Sequence, residues 1–87
     1  MTTIGTFFKD GDSYRGLIST ATLQGRARII PDPYKGSDAY LLLINERACG
    51  YAIANADGLT VTICPSLSPA FGRARLVEYD GYFVLKA

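Results

Sequence analysis

Gly25-Arg26-Ala27-Arg28-Ile29-Ile30 recurs later in the chain as Gly72-Arg73-Ala74-Arg75-Leu76-Val77. Each copy alternates cationic and apolar side chains, which is the two-residue period of a β-strand with one wet face and one buried face. The repeat therefore predicts two similar strands, each with two guanidinium groups on its outer side.

The rest of the chain also consists of short extended runs, which are separated by a turn signal about every eight to twelve residues. Asp10-Gly11, Asp57-Gly58 and Asp80-Gly81 are hairpin signals, because glycine tolerates the positive φ of a tight turn. Residues 31–37 contain two prolines and predict a loop, and residues 65–71 predict a loop or one helical turn. We predict an all-β fold, with at most one short helix, in which an antiparallel meander of seven or eight strands forms a curled sheet, a small sandwich or a partly open barrel.

Two features bear on the core. The run Leu41-Leu42-Leu43-Ile44 is apolar on both faces, which predicts a central strand covered on both sides or a strand with one face held for a partner. Phe7, Phe8 and Phe83 are predicted to lie in the core.

Size and composition predict one globular domain over residues 1–87. No apolar run is long enough to span a bilayer and no secretory leader is visible, so we expect a cytoplasmic protein. Cys49 and Cys64 fit no zinc or redox spacing. They are expected to be two small buried apolar side chains, with a cross-strand disulfide as the alternative.

Little in the sequence points to catalysis. The chain contains no histidine, which is the commonest general base and metal ligand. It also contains no nucleophile elbow and no glycine-rich phosphate loop. We therefore expect no catalytic residues, no metal, no cofactor and no enzymatic activity.

Arginine and tyrosine are the candidate partner-binding residues. Arginine captures carboxylates or phosphates with paired hydrogen bonds, and the combination of arginine with tyrosine is enriched at protein-binding hot spots and where bases stack. If the two repeated strands fold side by side, their arginines form one cationic patch. The alternative is a solvated outer face with weak ion pairs and rings that pack on the sheet. The candidate residues are Arg26, Arg28, Arg73, Arg75, Tyr79, Tyr82 and Tyr34.

Four short segments carry a family resemblance. They are Ile4-Gly5-Thr6-Phe7; Tyr14-Arg15-Gly16 with Thr22-Leu23; Ala27-Arg28-Ile29-Ile30-Pro31 with Ser37-Asp38-Ala39-Tyr40; and Pro65-Ser66-Leu67 leading into Asp80-Gly81-Tyr82. Their order resembles the domain of unknown function 736 family, which consists of small proteins of bacterial mobile elements. Such proteins usually carry a tryptophan in the strand that here reads Gly50-Tyr51-Ala52-Ile53, and this chain has none. The resemblance implies a mobile-element or phage origin and supplies no activity.

These observations predict a small binding protein that inhibits or modulates a host macromolecular complex by protein–protein contact. In its most concrete form it is an anti-CRISPR-like inhibitor that blocks a nucleic-acid-binding effector in a host nucleoprotein defence complex. The formal net charge of +1 weighs against direct nucleic-acid binding, which stays an alternative. A structural oligomer is the third hypothesis. No membrane partner is expected, and the protein is predicted to be a monomer or a small homo-oligomer.

Overall fold

The chain forms eight antiparallel β-strands that follow one another in sequence order and close into a barrel. The computed structural model describes residues 2–21, 23–64 and 72–87. The strands are β1 (Thr3–Asp10), β2 (Ser13–Ser19), β3 (Gln24–Pro31), β4 (Ala39–Ile44), β5 (Arg47–Asn55), β6 (Gly58–Ile63), β7 (Arg73–Tyr79) and β8 (Tyr82–Lys86). The all-β prediction is confirmed, and of the arrangements considered it is the barrel that forms, closed by pairing of β1 with β8. The loop or helical turn predicted for residues 65–71 lies outside the described residues.

The inward-facing side chains fill the barrel and form one apolar core. Phe7, Ile29, Leu42, Val61 and Leu85 are among the side chains with essentially no exposed surface. An eight-stranded barrel has an interior just wide enough for side chains to fill it. The burial of this layer is therefore the main source of stability.

The repeated phrase takes its predicted alternation. Ala27 and Ile29 of β3 point into the core, as do Ala74 and Leu76 of β7. The arginines between them face outward.

Two glycines let neighbouring strands approach closely. A Cβ atom on Gly16 of β2 would collide with the carbonyl oxygen of Thr6 and lie 2.7 Å from the Cα of Phe7. A Cβ atom on Gly50 of β5 would collide with the carbonyl oxygen of Thr62. Glycine in a strand interior often marks such a close approach. Gly16 therefore lets β1 and β2 pack closely at the position where Arg15 and Leu17 face outward.

The tight turns also agree with the sequence. The β4–β5 turn places Asn45 at φ 52° and Glu46 at φ 66°, and the β7–β8 turn places Asp80 at φ 53° and Gly81 at φ 91°. Two successive positive φ values are typical of the two-residue turns that match the twist of a hairpin.

The expectation that Phe8 is a core residue is wrong. Phe7 and Phe83 face the interior, whereas the Phe8 side chain is 61% exposed on the outer wall. Consecutive residues of a strand point to opposite faces, so Phe7 and Phe8 cannot both be inside.

The strand β4 is not covered on both sides. Leu42 and Ile44 face the core, and Leu41 and Leu43 are half-buried on the outer wall. The single closed sheet supplies no second layer over this face. The interpretation of a strand covered on both sides is therefore wrong, and the interpretation of a face held for a partner stays a prediction.

The expectation of two buried cysteines is confirmed for Cys49 and wrong for Cys64. Cys49 is buried, but Cys64 is exposed, and both thiols are free. The Cys64 N–H donates a hydrogen bond to the Cys49 carbonyl oxygen at 2.9 Å.

The acidic residues gather at one end of the barrel. In a meander of consecutive antiparallel strands, alternate turns lie at the same end, here the β1–β2, β3–β4, β5–β6 and β7–β8 turns. This end, called the acidic end below, holds seven of the eight acidic residues: Asp10, Asp12, Asp32, Asp38, Asp57, Glu78 and Asp80.

Candidate binding surface

The two repeated arginine strands lie on opposite walls of the barrel. β3 and β7 are four positions apart in a ring of eight strands. The predicted single patch of Arg26, Arg28, Arg73 and Arg75 is therefore wrong. In a meander that closes on itself, a strand pairs with its neighbours in sequence, so the similarity of two strands carries no information about their distance.

A different arginine joins the β3 pair. Arg15 of β2 lies directly opposite Arg28, and Leu17 lies directly opposite Arg26. Arg15 was not among the predicted site residues. Arg15 alternates with Gly16 and the buried Tyr14 along β2. This alternation is the signal that indicates an outward side chain on the strand next to β3.

Aromatic rings continue this surface across β1, β8 and β7. Phe8 lies directly opposite Arg15, and its ring centroid is 6.4 Å from that of Tyr82. Tyr82 in turn lies opposite Tyr79, with ring centroids 6.0 Å apart. The row from Tyr79 to Arg28 crosses five of the eight strands, so it curves around half of the barrel and its two ends lie on opposite sides.

We call this surface the aromatic–arginine wall. Its members are the outward side chains of β8, β1, β2 and β3 that form this row or lie beside it: Phe8, Arg15, Leu17, Arg26, Arg28 and Tyr82. The predicted candidates Arg26, Arg28 and Tyr82 thus lie on one surface, whereas Tyr79 is on β7, on the opposite side of the barrel from β3.

The charges of the wall are only partly compensated. Arg15 is 3.4 Å from Asp10 and Arg28 is 3.1 Å from Glu46, whereas Arg26 forms no ion pair within the part of the chain that the structure describes. Like charges directly opposite each other across strands, as in Arg15 and Arg28, are destabilising. The wall therefore carries cationic groups that an external anionic group would stabilise.

The Arg28 guanidinium also has an unused donor. Its Nε atom is buried and has no hydrogen-bond partner among the described residues. A buried donor without an acceptor costs about 1–3 kcal/mol. A carboxylate or phosphate that draws the guanidinium outward would supply the acceptor.

The wall is concave at its centre. A depression of about 540 Å³ is lined by Phe8, Arg15, Leu17, Arg28 and Glu46, among others. The Leu17 side chain is 61% exposed, as is that of Phe8. Two exposed apolar side chains beside the arginines, Phe8 opposite Arg15 and Leu17 opposite Arg26, are typical of a protein-binding patch.

Arg73 and Arg75 lie in other surroundings. They pair with Thr62 and Thr60 of β6, and Arg75 is 3.8 Å from Asp57.

On this side of the barrel the β4–β5 face bears a groove of about 540 Å³ that includes Leu41, Tyr51 and Ile53. The Tyr51 side chain is 52% exposed.

Tyr34 is not part of either surface. It lies in the loop between β3 and β4 and is 98% exposed. Among the described residues, no ring contact connects it to the aromatic–arginine wall.

The described side chains offer little to a metal. In residues 2–21, 23–64 and 72–87, no group of three or more histidine, cysteine, aspartate or glutamate side chains is placed to hold a metal ion. The same ranges include no helix with the length and apolar character needed to cross a bilayer.

The fold and its outer surfaces thus define a small closed barrel with one concave wall of rings and arginines. Comparison with family models, curated proteins and solved structures finds no match for this chain. The resemblance to the domain of unknown function 736 family therefore stays a prediction.

Proposed function

We propose that the protein is a non-catalytic binding protein that docks on a protein partner through the aromatic–arginine wall. The observation that carries the proposal is the row formed by Tyr82, Phe8, Arg15 and Arg28 on four adjacent strands, with the exposed Leu17 and Arg26 beside it. Tyrosine and arginine dominate binding hot spots, because each combines a large contact area with directional hydrogen bonds.

The distribution of charge favours a protein over a nucleic acid. Asp10 pairs with Arg15 at the edge of the wall, and Asp80 follows Tyr79 in the β7–β8 turn. These carboxylates repel a phosphate backbone, whereas a protein surface can offer both signs of charge to the same patch.

In its concrete form, the proposal is an inhibitor from a mobile element or phage that acts in the host cytoplasm. It would occupy the groove of a nucleic-acid-binding effector, as anti-CRISPR proteins do. The support is the small rigid scaffold and a wall whose arginines can pair with acidic residues of the effector, together with the family resemblance of the sequence.

Direct binding of single-stranded nucleic acid is the second candidate function. The rings of Phe8 and Tyr82 beside Arg15 and Arg28 form the arrangement on which bases stack. Such binding weakens steeply with salt through counterion release, which distinguishes it from docking on a protein.

The proposal predicts that removing the exposed apolar side chains of the wall abolishes partner capture. The tagged protein is used to capture partners from nuclease-treated lysate of its natural host, and the double variant Phe8→Ala, Leu17→Ala is compared with wild type. The matched control Tyr51→Ala, Ile53→Ala removes two exposed apolar side chains from the other wall. We expect the wild type and the control to retain one protein at near-stoichiometric level and the Phe8/Leu17 variant to lose it.

Two outcomes contradict the proposal. If no protein is retained by the wild type, or if the two double variants retain it equally, the wall is not a protein-docking surface. A partner that disappears on nuclease treatment and leaves a salt-sensitive bound oligonucleotide supports the nucleic-acid alternative instead.

A further inference from the structure

The acidic end of the barrel opens into a cavity of about 310 Å³ with an aromatic floor. Tyr14, Tyr40 and Phe83, from β2, β4 and β8, line it. Their rings meet edge to face: the Tyr14 centroid is 5.1 Å from that of Phe83 and 6.3 Å from that of Tyr40. We call this group of three rings the aromatic mouth. Barrel mouths are common positions for small-molecule sites, and this volume is at the lower end for such pockets.

The side chains around the aromatic mouth favour a positive charge. Glu78 and Asp57 line the same cavity and belong to the acidic end described above. Asp57 also lies 3.8 Å from Arg75, so of the two it is Glu78 that has no ion pair among the described residues. The face of an aromatic ring carries partial negative charge and attracts cations. Rings and carboxylates together therefore create a site whose electrostatic preference is for an organic cation.

The structure already holds one cation against these rings. The Lys9 Nζ atom is 4.6 Å from the Tyr14 ring centroid and donates a hydrogen bond to the Tyr14 Oη at 3.2 Å. This hydrogen bond is the main reason that the pKa of Lys9 is raised, so its ammonium group stays charged. Lys9 does not line the cavity itself, but this contact places an ammonium group against the ring of Tyr14, which does line it.

We propose that the aromatic mouth is a binding site for an organic ammonium ion, with Glu78 and Asp57 as its counter-charges and Lys9 as an internal competitor. The ligand chemistry is a methylated or primary ammonium, carried either by a free small molecule or by a lysine side chain of a peptide. The site is separate from the aromatic–arginine wall and does not depend on the proposed function.

The experiment is a titration of the ¹⁵N-labelled full chain with choline, followed by NMR. The matched probe is 3,3-dimethyl-1-butanol, which has the shape of choline without its charge. We expect choline to shift signals of Tyr14, Tyr40, Phe83 and Glu78 in a saturable manner, and the neutral alcohol to bind about tenfold more weakly or not at all. A trimethyllysine peptide titrated in parallel distinguishes the sources: tighter binding than choline assigns the site to a protein side chain, and binding no tighter assigns it to a free small cation.

Two variants test the assigned roles. Glu78→Gln removes a carboxylate and is expected to weaken choline binding about three- to tenfold, whereas Lys9→Met removes the competing ammonium and is expected to strengthen it by a similar factor. Glu46→Gln, at the other end of the barrel, is the control and leaves the affinity unchanged. The proposal is overturned if choline gives no saturable shifts at the mouth, if the neutral alcohol binds equally well, or if Glu78→Gln binds choline as wild type does.

Discussion

Phe7→Ala is expected to lower the free energy of unfolding by about 3–5 kcal/mol, which is the usual cost of removing a fully buried phenylalanine. Phe7 has no exposed surface and lies in the core next to the close approach of Gly16. A domain of this size is stable by roughly 4–13 kcal/mol, so the loss is a large share of the total. Urea unfolding followed by circular dichroism measures it, with an unchanged dependence on urea concentration as the check that the transition stays two-state.

Phe8→Ala is the matched control, because it removes the same side chain one position further along β1. Phe8 is exposed and its ring contact is with Tyr82, so the expected loss is no more than about 1 kcal/mol. If the two variants lose the same free energy of unfolding, the assignment of Phe7 to the interior and of Phe8 to the outer face of β1 is wrong. Phe8 is then not part of the aromatic–arginine wall.

Arg26→Ala, Arg28→Ala is expected to weaken partner binding by about 100-fold or more. Both guanidinium groups face the proposed partner, and hot-spot arginines commonly contribute about 2 kcal/mol or more each. The measurement is the dissociation constant for the captured partner, determined by calorimetry. The melting temperature is expected to change by only a few degrees, because exposed ion pairs such as Arg28 with Glu46 contribute little to stability.

Arg73→Ala, Arg75→Ala is the control that the sequence itself provides. It makes the same change in the same Gly-Arg-Ala-Arg phrase, but on the opposite wall of the barrel. We expect its affinity for the partner to lie within about threefold of wild type, as for residues outside an interface. If the two double variants lose the same affinity for the partner, only net charge matters for binding. Arg26 and Arg28 are then not part of the recognition surface.

Much of the fold could be predicted because local signals determine it. Alternation in Gly25–Ile30 and the Asp-Gly turn signals specify strands and hairpins from a few neighbouring residues, and the structure agrees with them. The burial of Tyr14 and the exposure of Arg15 and Leu17 along β2 show the same two-residue period.

The position of the site could not be predicted as well, because it depends on how the sheet closes. Whether Arg28 meets Arg15 or Arg75 is decided by strand order, and no feature of the repeated phrase reports it. Phe8 was assigned to the core on hydrophobicity alone, although its position next to Phe7 required the opposite face. The aspartates also come together at one end of the barrel only because alternate turns of the meander lie at that end, which again depends on the strand order.

The proposed function requires the partner to dock on the aromatic–arginine wall. It is tested most directly by placing the photo-crosslinking amino acid p-benzoylphenylalanine at Phe8 and, in a second protein, at Tyr51, two exposed aromatic positions on different walls. We predict that irradiation links the captured partner to the protein labelled at position 8 and leaves the protein labelled at position 51 unlinked. Crosslinking from position 51 alone, or equally from both positions, would contradict the account.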